Sequence, residues 1–303
     1  MNKQFSNQPL VSIIMNCYNG ETYLRESIDT IISQTYKNWE LIFWDNQSKD
    51  SSSEIFKSYK DPRFKYYYAK KHTSLYEARN LAIEKSNGDL IAFIDTDDLW
   101  KENKLELQIP YFDDPHVGLV FSNYWVIKKK IKKKKLHTNK KLPSGNIYDK
   151  LIENYSIGII TAVIRRKHYL KLEKKFDERF TIIGDFDLFL RLSKLYLFKS
   201  IQNPLAYYRL HGRNLSIINV NKEIEELDVW LRENKLNLGK LHIKKITKSV
   251  DHRRFVKLKI EGRLRESLIM LLKLKVNPFK IKNLIIFFMP IFILKKFLWY
   301  HQD

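Results

Sequence analysis

The chain has 303 residues, 44% of them hydrophobic, with one cysteine and a formal net charge of +21 at pH 7. That length and apolar content suit one large α/β domain or a domain with an appendage, and they exclude wholesale disorder. Cys17 stands alone, which excludes an intrachain disulfide and fits a reducing, cytoplasmic compartment. The charge calls for an anionic partner such as nucleic acid, acidic lipid or a phosphorylated substrate.

The polar start, MNKQFSNQPL, leads straight into a strand-like run and does not read as a signal peptide. Residues 10–18 (LVSIIMNCY) form an apolar, β-branched run expected to be a buried strand, broken by Tyr18-Asn19-Gly20. Leu24, Ile28, Ile31 and Ile32 then recur at one-turn spacing, as on a helix. A second strand is expected over 40–44, ending in Asp45-Asn46-Gln47-Ser48. A further helix and a strand near Phe64–Ala69 continue the alternation. The helix expected over 74–86 carries Leu75, Ala78 and Ala82 on one face and Arg79 on another, and the run 88–94 reads as another buried strand.

Strands alternating with helices over the first hundred residues predict an α/β fold with a mostly parallel sheet flanked by helices. Later the pattern loosens. Strands are expected at 117–127 and 161–166, a helix at 184–196, and a lysine-rich mobile loop at 128–141, because like charges repel. Past residue 215 the sequence reads as helical and basic. This divides the chain into an α/β domain, 1–215, and a helical C-terminal region, 216–303.

Ligands of such sheets bind beyond the carboxyl ends of the strands, which directs attention to Tyr18, Asp45 and Asp95-Thr96-Asp97-Asp98. Three carboxylates in four residues repel one another unless a cation or a donor network compensates. Oxygen-rich sites of this kind suit Mg²⁺ or Mn²⁺. Asp95 and Asp97 sit two residues apart and can face one ion or one ribose. The alternative is a solvated turn in which Asp97 or Asp98 caps a helix beginning near Leu99.

Taken in order, Val11-Ser12-Ile13-Ile14-Met15-Asn16-Cys17-Tyr18-Asn19, Trp44-Asp45-Asn46-Gln47-Ser48, Ala78-Arg79-Asn80 and Gly88-Asp89 leading to Asp95-Thr96-Asp97-Asp98 resemble family 2 glycosyltransferases of the GT-A fold. The resemblance covers roughly residues 9–215. It implies an inverting enzyme that moves a sugar from a nucleotide diphosphate, by family weight UDP, to a hydroxyl of a glycan or lipid-linked acceptor, as in bacterial surface polysaccharide synthesis.

By position, the resemblance implies donor binding by Tyr18, Asp45, Arg79, Asp95 and Asp97, and a divalent ion held by Asp97 with Asp95 and His211. Asn46 stands where the family pattern has a second acid. Gly184-Asp185 resembles the family's Glu-Asp motif with glycine in place of glutamate, which implies Asp185 as the catalytic base. Read from the residues alone, Asp185 before an apolar helix is better taken as an N-cap. Tyr208-Arg209-Leu210-His211 resembles the segment that closes these domains. Arg209 and Arg213 then either neutralise the leaving diphosphate or face solvent.

At the C-terminus the longest apolar run, Leu284 to Leu294, is too short to span a bilayer and contains Pro290. Flanked by Phe279, Lys295, Lys296, Trp299 and Tyr300, it suits a helix lying on an anionic membrane surface, or one packing on the domain or on a second copy. No helix-turn-helix, zinc-ligand or RNA-binding motif appears, so nucleic acid is not the expected partner. A nucleotidyltransferase of similar fold would show a glycine-rich basic loop after its first strand, and Asn16-Cys17-Tyr18-Asn19-Gly20 is not one. Monomer and dimer stay equally open.

Overall fold

The computed structural model describes residues 8–128, 134–273, 278–291 and 293–294. Lys295, Lys296, Trp299 and Tyr300, the first seven residues and the middle of the lysine-rich stretch lie outside the described residues. The chain divides into two compact units, Met1–Arg209 and Leu210–Asp303, so the boundary expected at 215 falls inside the second.

In the first unit the strands are β1 (Val11–Cys17), β2 (Trp39–Asp45), β3 (Phe64–Tyr68), β4 (Leu90–Phe93), β5 (Leu99–Trp100), β6 (Val117–Ile127), β7 (Lys134–Leu136), β8 (Val163–Arg165) and β9 (Leu197–Arg209). The helices are α1 (Glu21–Ile32), α2 (Ser52–Ser58), α3 (Leu75–Glu84), α4 (Lys104–Gln108), α5 (Tyr148–Glu153), α6 (Arg166–Lys171) and α7 (Gly184–Ser193). The strands join in one nine-stranded mixed sheet of order β3-β2-β1-β4-β8-β6-β9-β5, with β7 beside β6. From β3 to β4 all pairs are parallel, and β8 runs antiparallel to both β4 and β6.

Burial explains why the first strands form where apolar runs stand. Every residue of β2 is buried, and so is every residue of β1 except the half-buried Asn16. Val11, Ile13, Met15 and Cys17 share one core with Leu24, Ile28 and Ile31 of α1 and Phe56 of α2. Each such side chain contributes about 1.5–3 kcal/mol on burial. α3 packs against β1 and β2, and its first turn is capped by Ser74, whose Oγ accepts the Glu77 N–H at 3.2 Å.

Three expectations are corrected. Lys134–Leu136 of the lysine-rich stretch is strand β7, paired with Trp125–Ile127, because a neighbouring strand supplies backbone partners to exposed lysines. No helix starts at Leu99, since residues 99–100 pair with β9 and the next helix begins at Lys104. The 13-residue β9 lies parallel to β6 across residues where no strand was expected, its alternation broken by Gln202, Asn203 and Pro204.

The second unit is built of α8 (Leu215–Ile218), α9 (Val220–Asn234), α10 (Lys240–Ile260), α11 (Leu264–Lys273) and α12 (Pro278–Phe288). Phe255, Leu271, Ile286 and Leu294 form its small core, and Arg253–Glu223 (2.9 Å) and Arg254–Asp228 (2.6 Å) pair α10 with α9. Among the described residues no helix is long and apolar enough to cross a membrane.

Candidate active site

The parallel strands β1, β2 and β4 end side by side, so Tyr18, Asp45 and the turn 95–98 open on one edge of the sheet. The loop after β1 is stitched to the loop after β2. Asn19, at φ 53°, donates its N–H to Ser48 Oγ at 3.0 Å and accepts the Lys49 N–H on Oδ1 at 2.8 Å. Gly20 brings that loop to the acidic turn: a Cβ there would lie 2.7 Å from Thr96 Oγ1 and 3.0 Å from Cys17 Sγ. Tyr18 is 53% exposed, its ring 4.4 Å from that of His72.

Asp45 is fully buried. Its Oδ1 accepts the Ser48 N–H at 2.8 Å and its Oδ2 the Tyr66 hydroxyl at 2.7 Å. Asn46 explains its own departure from the acidic pattern. Its Nδ2 donates to the Thr73 carbonyl at 2.9 Å while its Oδ1 accepts the Thr73 N–H at 3.1 Å. A carboxylate has no N–H for the first bond. The His72 ring nitrogen Nδ1 lies 2.8 Å from the Asn46 carbonyl, so the 69–73 segment is held against the Asp45 loop.

Arg79 is only 3% exposed. Its Nη2 donates to Asp95 Oδ1 at 2.8 Å. Burial works against the charged guanidinium, but Asp95, Tyr76 and Asp185 outweigh it and hold Arg79 more firmly protonated. Next to it, Asn80 uses its whole amide. Nδ2 donates to the Phe176 carbonyl and to Glu178 Oε1, both at 3.0 Å, while Oδ1 accepts the Tyr169 hydroxyl at 2.8 Å and the Phe176 N–H at 3.2 Å. This anchors the segment that leads into α7.

The acidic turn keeps its charge under tension. Burial raises Asp95 above the usual carboxylate range, and the charge of Asp97 adds to this against the pull of Arg79. Asp98 is raised further, by burial and then by Asp97 and Asp95. Asp98 Oδ1 accepts the Arg209 N–H at 2.8 Å, whereas its buried Oδ2 has no partner. Asp97 is half-buried at the rim, and its carbonyl accepts Arg209 Nε at 2.9 Å. Arg209 does not face solvent. It is 1% exposed, its Nη2 bonds Glu26 Oε2 at 2.7 Å, and its guanidinium lies 4.4 Å from the centre of the Tyr23 ring.

Asp185 stands in the first turn of α7. Ile183, not Asp185, holds the cap position, and no side chain caps the helix, so the N-cap reading is set aside. Its carboxylate accepts from Tyr76 Oη at 3.3 Å and from Tyr155 Oη at 3.2 Å. Burial raises it, while Arg79, the Phe186 backbone N–H and the two phenols pull it back. Asp95 and Asp185 therefore share Arg79 and Tyr76 as electrostatic neighbours. His211 and Arg213 belong to the second unit, where the His211 N–H donates to Asn214 Oδ1 at 2.6 Å and the Arg213 N–H to His211 Nδ1 at 3.2 Å.

Among the described residues no three His, Cys, Asp or Glu side chains form a cage for a metal. A Mg²⁺ or Mn²⁺ ion bound by one or two carboxylates and substrate phosphates needs no such cage. The residues present fit that mode: Asp97 stands at the rim, Asp95 lies beside it, and the repulsion within the turn is of the kind a cation relieves. Sequence reading missed Tyr76, Tyr155 and His72. Tyr155 lies in a stretch with no period, and only Tyr76, next to the quoted Ala78-Arg79-Asn80, had a nearby signal.

The mixed sheet flanked by helices is similar to that of GT-A glycosyltransferases. The sequence pattern described as Glycosyl transferase family 2 matches residues 12–174, more than half of the chain, and the chain belongs to that family. Its fold is similar to that of Staphylococcus aureus TarS 1-349 in complex with UDP-GlcNAc, at 17% identity and a TM-score of 0.61 over 91% of this chain and 80% of that one. It is also similar to the mannosyltransferase PcManGT from Pyrobaculum calidifontis in complex with GDP-Man and Mn²⁺, at 15% identity and a TM-score of 0.61 over 97% and 88%. Among curated relatives, the Escherichia coli UDP-Glc:alpha-D-GlcNAc-diphosphoundecaprenol beta-1,3-glucosyltransferase WfgD is 36% identical over 157 residues, 52% of this chain and 60% of that protein. The putative teichuronic acid biosynthesis glycosyltransferase TuaG of Bacillus subtilis is 30% identical over 164 residues, 53% and 64%. An uncharacterized glycosyltransferase of Rickettsia bellii is 32% identical over 73% of this chain but only 32% of its own length. The chain thus matches between a third and two thirds of the length of these relatives.

Proposed function

We propose that the chain transfers a sugar, with inversion, from a nucleotide diphosphate to a hydroxyl of a glycan or lipid-linked acceptor. The observation that carries this reading is the shared Arg79: one buried guanidinium serves Asp95 on the acidic turn and lies in the field of Asp185 at the start of α7. A carboxylate of the acidic turn and one at the start of α7 thereby share one guanidinium as electrostatic neighbour.

In the reaction so read, Asp185 takes the acceptor hydroxyl proton as that oxygen attacks the anomeric carbon. The bond from that carbon to the diphosphate oxygen breaks, and the nucleotide diphosphate leaves with the electron pair. Tyr18 offers an exposed ring at the donor edge, while Asp45 and Asn46 shape that edge by holding its loops. Asp97, with Asp95, would hold a divalent ion, which when bound offsets charge on the departing diphosphate.

A membrane-surface acceptor is supported by the second unit. It carries 20 Lys and Arg against 9 Asp and Glu, a net charge of +11. Leu264, Leu268 and Leu272 of α11 and Ile281, Ile285 and Phe288 of α12 are exposed. Apolar residues among basic ones suit the inner face of an anionic bilayer, where each well-placed lysine adds about 1 kcal/mol. The relative WfgD is named for a diphosphoundecaprenol-linked substrate.

A panel of nucleotide sugars with Mn²⁺ or Mg²⁺, read by thermal stabilisation and nucleotide release, tests the donor reading. A ligand at a hundred times its Kd raises stability by about 2.7 kcal/mol. Silence across UDP-, GDP- and dTDP-sugars rejects it. Co-sedimentation with phosphatidylglycerol vesicles, lost as salt rises, tests the surface.

A further inference from the structure

Gly184 stands where the resemblance leads one to look for a glutamate, and the structure shows what occupies the room this leaves. A Cβ at residue 184 would lie 2.5 Å from Cδ2 and Cε2 of the Tyr76 ring. That ring is 2% exposed, stacked on Phe176 at 5.2 Å, and Phe176 in turn meets Phe93 of β4 edge-on. So placed, the Tyr76 hydroxyl is shared between the Ile182 carbonyl at 3.0 Å and Asp185 Oδ1 at 3.3 Å. The other carboxylate oxygen receives the Tyr155 hydroxyl at 3.2 Å, and the Tyr155 ring sits edge-on to Phe186, 5.3 Å away.

We propose that Tyr76 and Tyr155 are positioning residues that grip the Asp185 carboxylate at both oxygens, and that Gly184 exists to admit the Tyr76 ring. The proposal rests on Asp185 acting as the base. In place of a second acid beside Asp185, which would repel it, this chain sets two neutral donors there. Two bonds from different elements fix the carboxylate plane, and each stabilises the ionised form that a base needs. The groups facing Asp185 are Tyr76 and Arg79 of α3, Tyr155 after α5 and, at longer range, Tyr124 of β6; on its own helix Asp187 is neutralised by Arg191 at 2.7 Å. Of these, the two phenols donate hydrogen bonds to the carboxylate, alongside the backbone N–H of Phe186 on its own helix.

The test is a carboxyl NMR titration of the full chain labelled with ¹³C-aspartate, the Asp185 signal being assigned by its loss in Asp185→Asn. Tyr155→Phe and Tyr76→Phe keep the rings and remove the donors. Each is expected to move the Asp185 midpoint to higher pH, the double variant further than either. Gly184→Ala, which drives the ring aside, is expected to shift it in the same direction. In nucleotide release from UDP-glucose and UDP-GlcNAc with Mn²⁺, the acidic limb of kcat follows the midpoint, falling five- to tenfold on that limb while donor KM stays within twofold. An Asp185 midpoint unmoved in the double variant overturns the clamp, and one unmoved in Gly184→Ala removes Gly184 from it. If Asp185→Asn keeps full turnover, the base reading falls instead, and the titration still decides the clamp.

Discussion

Asp45 and Asp98 both lie buried where β2 and β4 give way to loops, yet their surroundings differ. Asp45 has a donor on each oxygen, from Ser48 and Tyr66. Asp98 has one oxygen bonded and one orphaned, with Asp95 and Asp97 pushing against it. A satisfied buried carboxylate stiffens a loop. An under-satisfied acidic cluster costs stability, and such a cost persists where a ligand or ion completes the network. The β2 edge therefore reads as frame, and the turn 95–98 as the place where a ligand or ion would complete the network.

Substitutions sharpen that contrast. The largest effect is expected at Asp185, where Asn should lower turnover about 10²–10⁴-fold while the protein still binds donor. Kinetics alongside calorimetric donor binding check this, and near-normal turnover refutes it. Asp97→Ala should lower turnover about 10²-fold, and the Mn²⁺-dependent part of nucleotide stabilisation should vanish. Unchanged rates in the presence of a chelator argue against any ion at this turn.

Asp45→Ala should act the other way round, on stability before rate. Leaving the Ser48 and Tyr66 donors unpaired costs about 1–3 kcal/mol each, readable in urea unfolding. A large loss of kcat at unchanged stability would move Asp45 from frame to chemistry. The smallest effect lies away from the site, at Lys104. Its buried Nζ has no hydrogen-bond partner and sits 4.0 Å from the Trp100 ring centre, and burial lowers its pKa well below normal. The unfolded chain holds that proton up to about pH 10.4 while the folded chain gives it up earlier, so stability should rise with pH across that window. Lys104→Met should raise Tm and flatten the rise, and thermal melts between pH 7 and 10 would show a lower Tm if the amine is in fact solvated.

Much of the frame is legible in the residues. β1 and β2 announce themselves because both faces of a central parallel strand are buried, which demands unbroken apolar runs. α1 shows its period through Leu24, Ile28 and Ile31. β9 did not show, because a strand interrupted by polar residues and Pro204 takes its shape from its pairing with β6. Nor did β7, whose lysines gain a strand only from the edge of the same neighbour.

The sequence by itself determined which acids stand at strand ends, since chain order and apolar runs place Asp45 and Asp95–Asp98 there whatever else happens. Only the tertiary structure decided how those acids are served. Arg79 turns inward to Asp95, Arg209 closes the turn from 111 residues away at Asp98, and Tyr76 and Tyr155 converge on Asp185 from 109 and 30 residues' distance. Hydrogen bonds and charge act through space over a few ångströms, and the residues that supply them carry no period or spacing to read along the chain.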